Sequence, residues 1–107
     1  MANNCMTSLT IISDEPITDE KHDAIVADIR ETIEYTGGNE CCSSEDIIEY
    51  ECDTRWAIPT DAIAALAKKY KVKVRAIGRE DGCAFVQVVC ANAEGIVVQD
   101  ESIGYFF

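Results

Sequence analysis

The side chains with the most chemistry to offer in this chain are carboxylates. Asp19, Glu20, Asp23, Glu31, Glu34, Glu40, Glu45, Glu49 and Glu51 crowd its first half, at spacings of three or four in one stretch and of two in another. Acids at such spacings share one face of a helix or of a strand. They can serve as a general acid and base, hold a cation, or meet a basic surface through charge alone. No nucleophile motif, phosphate-cradling glycine loop or metal-ligand spacing accompanies them, and a catalytic pair has no mark among so many surface acids. The expectation is a protein that is not an enzyme, with no cofactor and no bound metal. Asp19, Glu20, Asp23, Glu31, Glu34, Glu40, Glu45, Glu49 and Glu51 are then candidate residues for binding a partner.

Thiols and imidazole add little to that inventory. The six cysteines, at positions 5, 41, 42, 52, 83 and 90, form no C-x-x-C pair, and the single histidine, His22, is remote from them in sequence. An even cysteine count suggests disulfides only with an export signal, and Met-Ala-Asn-Asn-Cys-Met lacks the basic and apolar regions of one. Reduced thiols in a cytoplasmic protein are expected. Cys52, with Cys83 or Cys90, reads as a small core residue, whereas adjacent Cys41 and Cys42 read as loop thiols. His22 reads as a boundary residue on the margin of an apolar stripe. No apolar run approaches the roughly 20 residues a bilayer span requires, so no membrane role is expected.

Charge is distributed more tellingly than its total of −11 suggests. Residues 1 to 53 hold 14 of the 20 acids with only Lys21 and Arg30 as bases, a balance of −12, and residues 54 to 107 hold 6 acids and 7 bases, a balance of +1. Lys68, Lys69, Lys71, Lys73, Arg75 and Arg79 concentrate the base within a dozen residues. A dipolar surface follows, one part anionic and one basic.

The elements that position these groups can be read from periodicity. Thr7 to Ser13 alternates as a strand with Leu9 and Ile11 on one face, and Asp14-Glu15-Pro16 breaks it. Thr18 is placed to cap a helix whose stripe is Ile25, Val26, Ile29 and Ile33, running to about Tyr35 or Thr36 before Gly37-Gly38. Gly37 to Asp46 reads as a long polar loop. Ile48, Tyr50 and Cys52 alternate with Glu49, Glu51 and Asp53, the pattern of a strand with one wet face. Pro59 and Thr60 predict a second helix capped by Thr60, with Ile63, Leu66, Ala67 and Tyr70 as its apolar stripe and Trp56 buried above it. Val72 to Gly78, Cys83 to Ala91 and Ile96 to Gln99 read as three further strands. The second of these is central because it is apolar on both sides, and Asp81-Gly82 makes the turn before it. The apolar tail Ile-Gly-Tyr-Phe-Phe should fold back onto the sheet or onto a partner. This order implies a single α+β domain over residues 1–107, two helices packed on one face of a largely antiparallel sheet of four or five strands.

Two stretches carry a resemblance. Asn4-Cys5-Met-Thr-Ser-Leu-Thr-Ile-Ile, and Asp53-Thr-Arg-Trp-Ala-Ile-Pro followed by Ala-Ile-Ala-Ala-Leu-Ala-Lys-Lys-Tyr, resemble the YubB-type ferredoxin-like domains of phage and plasmid proteins. Those domains tend to open on an Asn-x-Cys-type strand and to place a Trp-x-x-Pro turn before the second helix. The aromatic usual beside the opening cysteine is missing here. The resemblance implies a ferredoxin-like sandwich and a mobile-element origin, no iron-sulfur cluster, and no catalytic residue to transfer. Joined to the anionic half, it points to an inhibitor of a host nucleic-acid-binding defence complex, anti-CRISPR-like, acting in the bacterial cytoplasm. Its acids would take the place of phosphates in the basic channel of a partner such as a CRISPR effector. The alternative is a nucleic-acid-binding accessory domain using Lys68 to Arg79. Net charge opposes it, because the acidic half repels the same polyanion.

Overall fold

A computed structural model describes residues 4–80 and 85–104. Strand β1 (Asn4–Ile12) is followed by helix α1 (Asp19–Thr32), strands β2 (Thr36–Ser43) and β3 (Ile47–Arg55), helix α2 (Thr60–Tyr70), and strands β4 (Lys73–Glu80), β5 (Phe85–Ala91) and β6 (Val97–Gly104). The strands form one antiparallel sheet in the order β2-β3-β1-β4-β5-β6. It has six strands rather than the four or five expected from sequence. The added one is β2, which after its first residue, Thr36, falls inside the stretch read as a polar loop.

That difference has a physical cause. Strand signals come from apolar residues on a buried face, and β2 is an edge strand with no fully buried residue. Its hydrogen bonds to β3, interrupted by irregularities between Thr36 and Asn39 and between Glu40 and Cys42, make it a strand. Gly38 lies so close to α1 and β3 that a Cβ there would meet the Glu34 carboxylate and the Tyr50 hydroxyl, at 1.5 and 2.1 Å. Only glycine fits without displacing them.

Both helices pack on one face of the sheet. Leu9, Ile11, Ile48, Tyr50, Val74, Ala76 and Val89 from the strands meet Ile25, Val26, Ile29 and Ile33 of α1 and Ile63, Leu66 and Ala67 of α2 in one buried cluster. Apart from Val89, whose strand was read as apolar on both sides, these are the residues that strand and helix periodicity select. Thr18 caps α1 as expected, its Oγ1 accepting the Lys21 N–H at 3.2 Å. The helix then ends at Thr32, three residues short of Tyr35, whose N–H instead donates to Asp53 O at 2.8 Å and starts β2. Tyr70 joins the two helices, its hydroxyl donating to Ala24 O at 3.2 Å and to the Asp28 carboxylate, which Lys69 also reaches at 2.8 Å.

The junction from β3 to α2 departs from the sequence reading twice. Trp56 has a φ of 70° and is 50% exposed, so it does not roof the core. Ala57 N–H bonds to Arg55 O at 2.8 Å, a three-residue turn that swings the indole outward. Ile58 takes the buried place, its N–H donating to the Oε1 of buried Gln87 at 3.1 Å. Thr60 is not the cap, because the cap position belongs to Pro59, which makes no side-chain cap bond. At the far end, β5 is bonded on both sides, by β4 and β6, one place from the edge. Ile103 and Gly104 of the tail belong to β6; the Asp81-Gly82 turn, Cys83 and the last three residues lie outside the described residues.

Candidate functional site

The β1–α1 connection and the β2–β3 turn are tied by their backbones. Ser13 N–H donates to Asp46 O at 2.9 Å and Ile17 N–H to Glu45 O at 2.8 Å. This pairing brings exposed Asp14 and Glu15 beside exposed Glu45 and Asp46, and the chain then enters α1 with exposed Asp19 and Glu20 in its first turn. These six carboxylates form an acidic pole at the N-terminus of α1. Unsatisfied N–H groups and the helix dipole favour negative charge there, so the pole is tolerated locally even though its members repel one another.

Of the candidate acids, Asp19, Glu20, Asp23, Glu40 and Glu45 lie at or beside this pole. Glu40 is opposite Tyr50 in the β2–β3 register, hence on the helix side of the sheet, and meets His22 Nε2 at 3.0 Å. His22 Nδ1 meets Asp23 at 3.2 Å, and Ser43 Oγ donates to Glu40. The His22 imidazole is held above its ordinary pKa by hydrogen bonding to Glu40 and then to Asp23, and Glu40 is held below its own by Ser43 and His22. This bridge pins α1 to edge strand β2, a role the sequence did not disclose.

The remaining candidates are elsewhere. Glu31 sits in the last turn of α1, about 16 Å along the axis from Glu20, and Glu34 follows just beyond the end of the helix. Glu34 is partly buried and accepts the Tyr50 hydroxyl at 2.5 Å, while Arg30 Nε donates to the same tyrosine oxygen at 3.2 Å. Glu49 and Glu51 project from the opposite side of the sheet, since their neighbours Ile48, Tyr50 and Cys52 are buried beneath the helices. The anionic half of the sequence is therefore divided between two faces.

The sheet face that carries Glu49 and Glu51 is covered by no helix. Ser8 and Thr10 of β1 run down its middle, Glu49 and Glu51 of β3 lie on one side of them, and Lys73, Arg75, Ile77 and Arg79 of β4 on the other. A groove of about 420 Å³ crosses it, lined by Met6, Ser8, Asn39, Glu51, Ile77 and Arg79 among others. Met6 and Ile77 are 54% and 41% exposed. Cys41 also faces this side, its thiol pKa raised by desolvation and by Glu51. The alternation of exposed and buried residues along β4 was visible in the sequence; that the bare face would span β2 to β6 was not.

The basic segment is divided too. Lys68 and Lys69 are exposed near the end of α2 and Lys71 occupies its left-handed cap with a φ of 53°, whereas Lys73, Arg75 and Arg79 are on the bare sheet face. Cys5 and Cys52 are buried, and burial pushes the Cys52 thiol up to about 12. Among the described residues no group of three His, Cys, Asp or Glu could hold a metal ion, and no helix is long and apolar enough to cross a membrane. No family model matches this chain, and no similar curated protein or solved structure was found.

Proposed function

We propose that this chain is a non-enzymatic binding protein that sets its acidic pole into a basic nucleic-acid channel of a partner, as an anti-CRISPR-like inhibitor of phage or mobile-element origin working in the cytoplasm of a bacterial host. The observation behind this reading is the convergence of Asp14, Glu15, Asp19, Glu20, Glu45 and Asp46 from three chain segments through the Ser13–Asp46 and Ile17–Glu45 backbone bonds. Carboxylates so placed offer charge at the spacing of a folded surface, and a rigid backbone frame lowers the entropy lost on binding. The order β1-α1-β2-β3-α2-β4, with β1 between β3 and β4, supports a ferredoxin-like core extended by β5 and β6, in keeping with the YubB-type resemblance.

The test is binding of the purified chain to purified CRISPR effectors over a salt series. A complex that forms at low salt, excludes the nucleic acid and weakens steeply as salt rises is expected. Failure to bind any such effector at low salt removes the reading. The alternative, an accessory domain binding nucleic acid directly, draws support from Lys73, Arg75 and Arg79 sharing the bare face. A gel shift with single-stranded RNA and DNA at low salt separates the two, because only that alternative expects a shifted band.

A further inference from the structure

The bare sheet face carries opposite charges in matched positions. Register places Glu49, Thr10 and Arg75 on one level across β3, β1 and β4, because Thr10 pairs with both Glu49 and Arg75. Glu49 and Arg75 are two strand spacings apart, about 10 Å, with β1 between them. Both are exposed, and among the described residues neither enters an ion pair.

We propose that this face binds a second copy of the chain, sheet against sheet, about a two-fold axis that runs parallel to the strands beneath β1. That operation exchanges the two sides of β1 without changing the level along it. Glu49 of each copy then faces Arg75 of the other, giving two identical pairs across one interface, as an isologous dimer requires. Facing sheets pack roughly 10 Å apart, a gap that a glutamate and an arginine reaching toward each other can close. Glu51 comes opposite Ile77, between the levels of Arg75 and Arg79. Asp53 comes opposite Arg79, although each already has an interaction within its own chain, so the pairing rests on Glu49 and Arg75.

Charge selects this arrangement over its rival. A two-fold axis across the strands would lay β3 on β3 and β4 on β4, setting Glu49 and Glu51 against their own copies and Lys73, Arg75 and Arg79 against theirs. Like-charge juxtaposition of that kind opposes association. Along β1, the short Ser8 and Thr10 meet their own copies and let the sheets approach, while Met6 and Ile77 lose their exposure to water. Five overlapping strands of about eight residues bury roughly 600 Å² on each copy, within the lower range of specific interfaces. The dimer is independent of the proposed function, which concerns the acids of the β1–α1 connection, the start of α1 and the β2–β3 turn.

The experiment is the solution mass of the full chain by sedimentation equilibrium, for the wild type, Glu49→Arg, Arg75→Glu, the double variant E49R/R75E, and an equimolar mixture of the two single variants. The wild type is expected to be a dimer. Each single reversal faces two like-charged pairs and weakens it by about 100-fold or more. The double variant restores both pairs. The mixture restores them too, because one copy then carries a base at both positions and the other an acid at both, so each contact joins opposite charges. A wild-type monomer throughout, single variants that stay as dimeric as the wild type, or a mixture that stays monomeric would each overturn the proposal. Loss of fold in one variant does not imitate rescue on mixing.

Discussion

Replacing Thr18 by alanine should destabilise the protein measurably, while the same change at Thr60 should not. The two threonines look alike in sequence, each a polar residue at the start of an amphipathic run. In the structure, Thr18 accepts the Lys21 N–H at 3.2 Å, whereas Thr60 is the first residue of α2 and makes no cap bond. Loss of a threonine cap costs about 1 kcal/mol. An unfolding entropy of roughly 2.1 cal/mol/K per residue over 107 residues converts that into a fall in Tm of about 4–5 °C. Thr60→Ala removes no such bond and introduces the better helix former, so its effect stays within about 0.5 kcal/mol. Differential scanning calorimetry of the two variants is the assay. The reasoning is refuted if Thr60→Ala loses as much as Thr18→Ala, or if both are neutral. Because Thr18 sits between Glu15 and Asp19, its loss should also fray the helix start that presents the acidic pole, seen as faster amide exchange at residues 19 to 22.

Three further outcomes follow from the packing. The His22 pKa is raised in the fold, so the stability it adds is fully present below its unfolded value of about 6.5 and is lost as pH rises through the folded value. Glu40, held low, adds stability above its unfolded range that is lost as pH falls through its folded value; Tm against pH should lose the alkaline part of this dependence in His22→Gln. At Gly78 a Cβ would lie 2.6 Å from Cys5 Sγ and 2.9 Å from Ile58 Cγ1, so Gly78→Ala should cost about 1–3 kcal/mol in urea unfolding and be partly rescued by Cys5→Ala. Cys41 and Cys42 should react with a thiol reagent in the native protein, and Cys5 and Cys52 only after unfolding, as peptide mapping of the labelled chain would read out.

What the sequence disclosed and what it withheld divide along physical lines. Inward positions were legible wherever one face of an element is buried, which is why Leu9, Ile11, Ile48, Tyr50, Val74 and Ala76 were found by alternation and Ile25, Ile29, Ile63 and Leu66 by helical spacing. Strand β2 was not legible, because an edge strand holds its place through β3 and buries none of its residues fully. Trp56 misled because ring size favours burial while a tight turn with positive φ points it outward. The acidic pole was half visible. Asp19, Glu20 and Glu45 were candidates, but Asp14, Glu15 and Asp46 join them only through backbone bonds between distant loops. Alternation with Ile48, Tyr50 and Cys52 already set Glu49 and Glu51 off the buried face, but Glu40 was read as loop, and its place on the helix side follows only from its pairing with Tyr50.

Displacement of labelled DNA from a purified CRISPR effector bears most directly on the acidic pole. The wild type, the pole reversal Asp19→Lys/Glu20→Lys/Glu45→Lys, and the sheet-face reversal Glu49→Lys/Glu51→Lys would be compared at one salt concentration, with the fold of each checked by circular dichroism. The wild type and the sheet-face variant should displace the DNA, and the pole variant should lose that ability by about 100-fold or more. Undiminished displacement by a folded pole variant would contradict the proposed function.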